Sequence, residues 1–210
     1  MLVHPEASGL TDQIRGVARR LANEGYSALV FDLYSRQPEA PVGAEFDVVV
    51  KSYLKITDRM AIMDMDAAMA FFRGLSIVDP ERIGVIGFCS AYPIILACHD
   101  PRIAACVSFY NQIRYAEGVN AELAVHPIDR VANLWCPWQG HYGDNDIAVS
   151  MSDIRDMEAR LGEFQIPYEL YTYPGAPHGF FNEQRPEHDR LAAETAWPRV
   201  TRFLRENLGA

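Results

Sequence analysis

The sequence has no apolar run long enough to cross a membrane. No window reaches the roughly 18 consecutive apolar residues that a spanning helix needs. The opening segment, MLVHPEASGL, has no basic stretch followed by a long apolar one, and so does not resemble a secretory signal. We therefore expect a cytoplasmic protein.

Basic residues are the minority among the charged ones. The 210-residue chain carries 19 Lys and Arg against 28 Asp and Glu, a formal net charge of -9. A surface of this sign repels the phosphates of nucleic acids and of anionic lipids. We expect a small-molecule substrate, with neither a nucleic-acid nor a membrane partner.

Cysteine is also scarce. The four cysteines form no CxxC pair, which argues against a disulfide framework or a zinc site. We expect reduced thiols and neither a metal nor a cofactor. Cys98, Cys106 and Cys136 fall in apolar runs and are predicted to be small core residues.

Short apolar runs alternate with helix-like segments along the whole chain. Hydrophobic residues make up 49% of it, enough for one domain spanning residues 1–210. The strand-like runs are LVHP, YSALVFDL, RIGVIGF, IAACVSFY, LWCPWQGHY and YELYTYP. Alternation of this kind predicts a mostly parallel sheet of about six strands between two layers of helices.

Local signals predict details of the connecting segments. Ser152 is a plausible N-cap for the helix that follows it, and Pro198 predicts a kink or restart in the last helix. A loop is predicted to contain Arg36, Pro38, Pro41 and Gly43. The state of the following FDVVV segment is left open.

Reactive side chains follow four of the predicted strands. Cys89 ends RIGVIGF at the start of a helix, Asp146 follows WQGHYGDND, His178 follows YELYTYPGAPH, and Glu6 follows LVHP. Because the carboxyl ends of parallel strands share one edge of a sheet, we expect these groups to meet there. The order nucleophile, acid, histidine is that of a strand-turn-helix nucleophile elbow.

These residue types suit nucleophilic catalysis. An imidazole and a helix N-terminus both favour the reactive thiolate of Cys89 over its thiol. A carboxylate at Asp146 would orient His178 and stabilise its protonated form. The backbone N–H of Ser90 would point to the same place as the sulfur and could donate to an oxyanion.

Less reactive interpretations remain for several of these residues. Asp144 is a rival to Asp146, although the spacing to Val149 favours Asp146. Glu6 could simply be a stabilising charge at a helix N-terminus. His141 and His188 are predicted to be structural or solvent-facing. The side chain of Ser90 would have to leave its position to act as the nucleophile.

Taken together, the motifs resemble those of the dienelactone hydrolase family of α/β-hydrolases. The matching stretches are HPEASG, GYSALVFDLYSRQ, IGVIGFCSA, GDNDIAV and YPGAPHGF, in family order over almost the whole chain. The resemblance implies an α/β-hydrolase fold, hydrolysis of a small ester or lactone, and a Cys89, His178 and Asp146 triad. It further implies that Glu6 holds the resting Cys89 thiol and accepts its proton, and that the N–H of Ala7 is the second oxyanion donor.

The sequence departs from the family pattern near the nucleophile and in its substrate-binding positions. Ala91 stands where the family has glycine two residues after the nucleophile. Asn182 stands where an arginine that holds a substrate carboxylate is usual, and the loop around Phe46 offers no second one. Arg185 is a candidate substitute, so dienelactone itself is a doubtful substrate.

The chain also begins immediately before the strand that carries Glu6. Family members usually have two earlier strands, so we expect an N-terminally shortened fold with the YSALVFDL strand at a sheet edge. Exposed edges are usually protected. We therefore expect that a homodimer could cover this edge.

Two other functions compete with an ester or lactone hydrolase. One is a glutamine amidotransferase-like cysteine enzyme of flavodoxin-like fold, which also combines a glutamate with an elbow cysteine. The other is a catalytically silent or ligand-binding family member, suggested by the altered elbow and the early start of the chain.

Overall fold

Six parallel strands form the centre of the part of the chain that the structure describes. A computed structural model describes residues 1–37, 42–116 and 118–209. The strands are β1 (Leu2–His4), β2 (Leu29–Val30), β3 (Ile83–Phe88), β4 (Ile103–Phe109), β5 (Trp138–Gly143) and β6 (Tyr168–Tyr173). Their order in the sheet is β2-β1-β3-β4-β5-β6, and every neighbouring pair is parallel. The predicted sheet is confirmed, and its strands are parallel throughout.

Helices connect the strands. They are α1 (Asp12–Asn23), α2 (Phe46–Tyr53), α3 (Asp58–Arg73), α4 (Tyr92–His99), α5 (Met151–Glu163) and α6 (Arg190–Leu208), with a 3₁₀ helix at Pro127–Asn133. The FDVVV segment, whose state the sequence left open, thus forms the start of α2. Pro38 and Pro41 of the predicted loop lie outside the described residues.

Two glycines of β3 allow helices to approach the sheet from opposite faces. A Cβ on Gly87 would lie 2.0 Å from Cγ of Pro93 in α4, and a Cβ on Gly84 would lie 3.0 Å from Cδ1 of Leu208 in α6. Positions 84 and 87 point to opposite faces because side chains alternate along a strand. The two helix layers therefore pack against β3 where it has no side chains.

Three local predictions differ from the structure. The N-cap of α5 is Ser150, whose hydroxyl accepts from the N–H of Asp153 (3.1 Å), and not Ser152. Helix α6 continues through Pro198, so the predicted restart does not occur, while a kink there stays a prediction. Strand β2 contains two residues, far fewer than the predicted YSALVFDL run.

Strand β2 lies at the edge of the sheet, as expected. It pairs with β1 on one side, and its residues are half-buried. A homodimer that covers this edge stays a prediction.

Candidate active site

Cys89 sits in a strained turn between β3 and α4. Its φ is 66°, in the left-handed region that non-glycine residues seldom adopt. The N–H of Ser90 donates to the carbonyl of Phe88 across the turn (2.7 Å). Bonds from the Cys89 N–H to Phe109 (3.0 Å) and from the Gln112 N–H to the Cys89 carbonyl (2.9 Å) hold the strained residue in place. This is the geometry expected of a nucleophile elbow.

His178 links the Cys89 sulfur to Asp146. Nε2 of His178 is 3.3 Å from Sγ of Cys89, and Nδ1 is 2.8 Å from Oδ2 of Asp146. The other carboxylate oxygen of Asp146 accepts from the N–H groups of Ala148 (2.7 Å) and Val149 (3.0 Å). A thiol, an imidazole and a carboxylate, far apart in the sequence, thus form one hydrogen-bonded chain.

The neighbouring aspartate has a different position. The carboxylate of Asp144 is exposed and accepts from the N–H of Gly175 (2.6 Å), so it stabilises a turn. The side chain of Asp146, in contrast, is completely buried against His178. The geometry favours Asp146 over Asp144 as the partner of the histidine.

The environment of His178 favours its protonated form. Burial alone would lower the pKa of His178, but hydrogen bonds to Asp146 and Cys89 and the negative charges of both outweigh burial and raise it to about 10. The imidazole of His178 therefore favours its protonated form at neutral pH, 3.3 Å from the Cys89 sulfur.

Glu6 lies behind this pair, in the turn after β1. Its carboxylate is 1% exposed and accepts from the hydroxyl of Tyr110 (3.1 Å) and the side-chain amide of Asn182 (2.8 Å), with Arg185 3.8 Å away. Within the described part of the chain, the hydrogen-bond partner of the Cys89 sulfur is His178 and not Glu6. Among the described residues Glu6 makes no hydrogen bond to the Cys89 sulfur, because other donors hold its carboxylate, and its role in handling the Cys89 proton stays a prediction.

The two candidate oxyanion donors lie in the turns after β1 and β3. Ser90 is fully buried, and its hydroxyl is 3.0 Å from Nδ1 of His4. The turn containing Ala7 is closed by a bond from the Gly9 N–H to the Glu6 carbonyl (2.9 Å), and the Ala7 carbonyl accepts from Tyr34 (2.5 Å). With its hydroxyl bound to His4, Ser90 is poorly placed to be a side-chain nucleophile.

Three tyrosines near Cys89 were not predicted as site residues. Burial raises the pKa of Tyr34, Tyr53 and Tyr110, and the charge of Cys89 adds to the increase in all three. Tyr110 follows β4 directly, so the strand-end rule that found Cys89 could also have found it. Its φ of 42° is a second strained backbone beside the site.

The other three cysteines and the two histidines predicted to be structural or solvent-facing lie outside the reacting chain. Burial raises the pKa of the Cys98 and Cys136 thiols to about 12 and that of Cys106 well above its usual value. His141 is enclosed by Tyr173 and Gln139, and Nδ1 of His188 contacts the carbonyl of Phe180. None of these side chains is part of the Cys89–His178–Asp146 chain.

The described residues lack both a metal-binding cluster and a membrane-spanning helix. In residues 1–37, 42–116 and 118–209, no cluster of three or more His, Cys, Asp or Glu side chains is arranged to hold a metal ion. Over the same ranges, no helix combines the length and apolar character needed to cross a membrane.

The parallel sheet, its helix layers and the elbow at the end of β3 define an α/β-hydrolase. Residues 1–208 match the model of the dienelactone hydrolase family, and the chain belongs to that family. It is accordingly a dienelactone hydrolase-like hydrolase. This membership decides against the glutamine amidotransferase-like alternative.

Several relatives share most of the chain. A Bradyrhizobium sp protein named "Probable 2-oxo-3-(5-oxofuran-2-ylidene)propanoate lactonase" is 30% identical, covering 99% of this chain and 84% of that protein. A Methylorubrum extorquens protein named "Putative carboxymethylenebutenolidase" is 31% identical, covering 98% and 71%. The crystal structure of a Klebsiella pneumoniae protein titled "Putative Dienelactone Hydrolase" superposes with a TM-score of 0.89 at 26% identity, covering 97% of this chain and 85% of that one.

Proposed function

We propose that the protein hydrolyses a small ester or lactone with Cys89 as the nucleophile, His178 as the acid and base, and Asp146 as the group that orients His178. The single observation that carries this proposal is the hydrogen-bonded chain from Cys89 through His178 to the buried Asp146. The strained φ of Cys89 is further support, since strain of this kind is retained where it positions a reacting group.

The reaction has two halves. The Cys89 thiolate attacks the carbonyl carbon, and as the tetrahedral intermediate collapses the carbon–oxygen bond breaks and Nε2–H of His178 protonates the leaving alkoxide. Neutral His178 then removes a proton from water, whose hydroxide attacks the thioester. The carbon–sulfur bond breaks, the carboxylic acid leaves, and the thiolate–imidazolium pair is restored.

Charge that develops on the carbonyl oxygen needs donors. We assign the backbone N–H groups of Ser90 and Ala7 to this role, as the elbow geometry and the family resemblance suggest. The Ser90 N–H now donates to Phe88 within the strained turn, an acceptor that an oxyanion could outcompete because it is charged.

Glu6 enters the proposal as a buried anion that assists the reacting pair. Its bonds from Tyr110 and Asn182 keep the carboxylate in place. To take the Cys89 proton directly, it would have to leave these partners. We therefore assign the resting proton to His178 and leave Glu6 a supporting role.

The substrate class is proposed from the relatives and from the charges beside the site. Names of related proteins specify a lactonase and a carboxymethylenebutenolidase. Here, however, Asn182 is uncharged, and Arg185 is already paired with Glu6. We propose that esters and lactones without a carboxylate are cleaved at least as well as those with one. We further propose that the protein acts in the cytoplasm and has neither a nucleic-acid nor a membrane partner.

Substitution of the reacting pair tests the mechanism. Cys89→Ala and His178→Ala should each lower kcat/KM for p-nitrophenyl acetate by at least about 10³-fold, since each removes a group needed for covalent catalysis. Cys98→Ala, the matched control, should stay within about twofold of the native enzyme. Native activity in the Cys89→Ala protein would exclude the mechanism.

Thiol labelling tests the catalytically silent alternative, and a substrate panel tests the specificity. Iodoacetamide should modify Cys89 far faster than the other three cysteines, and excess ester should slow this modification. Four equally slow thiols would favour the silent alternative.

Paired lactones that differ only in a carboxylate should have similar kcat/KM values, whereas a strong preference for the carboxylate would contradict the proposed specificity.

A further inference from the structure

Every polar atom of Ser90 has a fixed partner. Its N–H donates to the carbonyl of Phe88 (2.7 Å), its carbonyl accepts from the side-chain amide of Asn111 (2.5 Å), and its hydroxyl is 3.0 Å from Nδ1 of His4. The side chain is 0% exposed. The residue that follows the nucleophile is therefore immobilised through its side chain as well as its backbone.

His4 is a neutral imidazole whose tautomer follows from its contacts. Nδ1 lies 2.8 Å from the carbonyl oxygen of Pro5, which can only accept, so Nδ1 carries the proton. Ser90 Oγ shares this N–H as a second acceptor. Burial lowers the pKa of His4 to about 3, so the ring stays uncharged at neutral pH.

Packing fixes the orientation of the His4 ring. Its centroid is 5.3 Å from that of Phe31, edge to face, and 5.5 Å from that of Tyr92. His4 pairs with Gly87 across the β1–β3 ladder, and a Cβ on Gly87 would be only 3.1 Å from Cβ of His4. The ring therefore sits firmly between the end of β1 and the elbow.

This position joins the two backbone segments that carry the proposed oxyanion donors. Through Pro5, the Nδ1–H of His4 contacts the turn that leads to Ala7, and through Oγ of Ser90 it contacts the elbow. The same nitrogen thus spans the end of β1 and the end of β3. A change in either contact would alter the separation of the two donors.

We propose that His4 and the Ser90 hydroxyl are positioning residues that set the oxyanion site by tying the elbow to the turn after β1. This inference rests on the proposed function, because it concerns the donors that serve the Cys89 reaction. A misplacement on the order of 1 Å at a reacting centre can cost about 100-fold in rate.

Two substitutions with matched controls test the inference. Ser90→Ala removes the hydroxyl, and Ser108→Ala removes another fully buried serine hydroxyl, the one that accepts from Trp138 in β4. His4→Phe removes the ring nitrogens, and His141→Phe does the same at another fully buried, neutral histidine. Neither control residue contacts the Ser90 side chain through a hydrogen bond within the described residues.

The readout compares two reactions of the same sulfur. Ester hydrolysis forms an oxyanion, whereas alkylation by iodoacetamide displaces iodide at a saturated carbon and forms none. Ser90→Ala and His4→Phe should each lower kcat for p-nitrophenyl acetate about 10- to 100-fold, with KM and the alkylation rate of Cys89 within about twofold of native. The double variant should lose no more than the worse single one, because His4→Phe already removes the His4–Ser90 contact that Ser90→Ala removes.

Either of two results would overturn the inference. One is kcat within about twofold of native in both variants. The other is an alkylation rate that falls in parallel with kcat, which would mean that the elbow itself had been lost. Failure of the proposed function is distinct, since it would appear as retained hydrolysis in the Cys89→Ala protein.

Discussion

Asp144 and Asp146 show how strongly chemistry depends on placement at the scale of single residues. Both are aspartates of one loop, yet one accepts from a backbone N–H at the surface and the other is buried against His178. Without a carboxylate at 146, His178 would lose both the fixed tautomer and the charge that stabilises its protonated form.

Exchange of each aspartate for its amide measures this difference. Asp146→Asn should lower kcat about 10²- to 10⁴-fold, while Asp144→Asn, the matched control, should stay within about threefold of native. Steady-state kinetics with an activated ester check the prediction. Equal losses in the two variants would mean that the assignment of the acid is wrong.

At the residue scale, a strand-end rule led from the sequence to four side chains, three of which the structure brings into one hydrogen-bonded chain, and their catalytic roles stay predictions. Cys89, Asp146, His178 and Glu6 were each located by the strand that precedes them. Asn182 and His4 were not found as partners of site residues, because no local pattern shows that an amide will reach Glu6 or that an imidazole will reach Ser90. Such contacts are set by tertiary packing.

At the scale of elements, Gly87 controls how closely α4 approaches β3. A Cβ there would lie 2.0 Å from Cγ of Pro93, in the first turn of the helix that begins after Cys89. Because the neighbour belongs to a rigid ring, the helix would have to move away from the strand. That movement would also shift the elbow between them.

We expect Gly87→Ala to lower the free energy of unfolding by about 3 kcal/mol, as overpacking in a core does. Gly16→Ala is the control, because a Cβ at Gly16 meets nothing within 4 Å and the site lies inside α1. That variant should gain about 0.5–1 kcal/mol. Urea denaturation of both variants measures these changes. An unchanged free energy of unfolding in Gly87→Ala would contradict the close approach of α4 to β3.

Element boundaries were predicted less well than element types. Ser150 and Ser152 are both suitable caps, and the sequence alone did not favour Ser150, whose hydroxyl reaches the N–H of Asp153. Pro198 lacks an N–H, yet α6 continues past it, with Ala196, Val200 and Leu204 buried on the same helix. Burial of this face outweighs one missing hydrogen bond.

For the whole molecule, two buried histidines contribute to how stability depends on pH. Burial lowers the pKa of His4 and of His141 from 6.5 to about 3. Below pH 6.5 these two side chains are therefore protonated in the unfolded chain but not in the folded protein, which lowers the free energy of unfolding. Stability from these two groups should therefore be fully present above about pH 6.5 and be lost progressively as the pH falls from 6.5 toward 3.

Urea denaturation at several pH values checks this profile. Between pH 6.5 and pH 5, His4 and His141 together should remove roughly 3 kcal/mol from the free energy of unfolding. In His141→Phe, whose absolute stability will differ, the decrease over the same interval should be smaller by roughly 1.5 kcal/mol, the share of His141. An identical pH dependence in the variant and the native protein would refute the assignment to His141.

The most direct test of the central claim is to identify the acylated residue during turnover. The enzyme is mixed with p-nitrophenyl acetate, quenched in acid within milliseconds, digested and analysed by mass spectrometry. We predict an acetyl group on Cys89, labile to neutral hydroxylamine as a thioester is. Acetyl on Ser90, or steady hydrolysis with Cys89 unmodified at every quench time, would contradict the account.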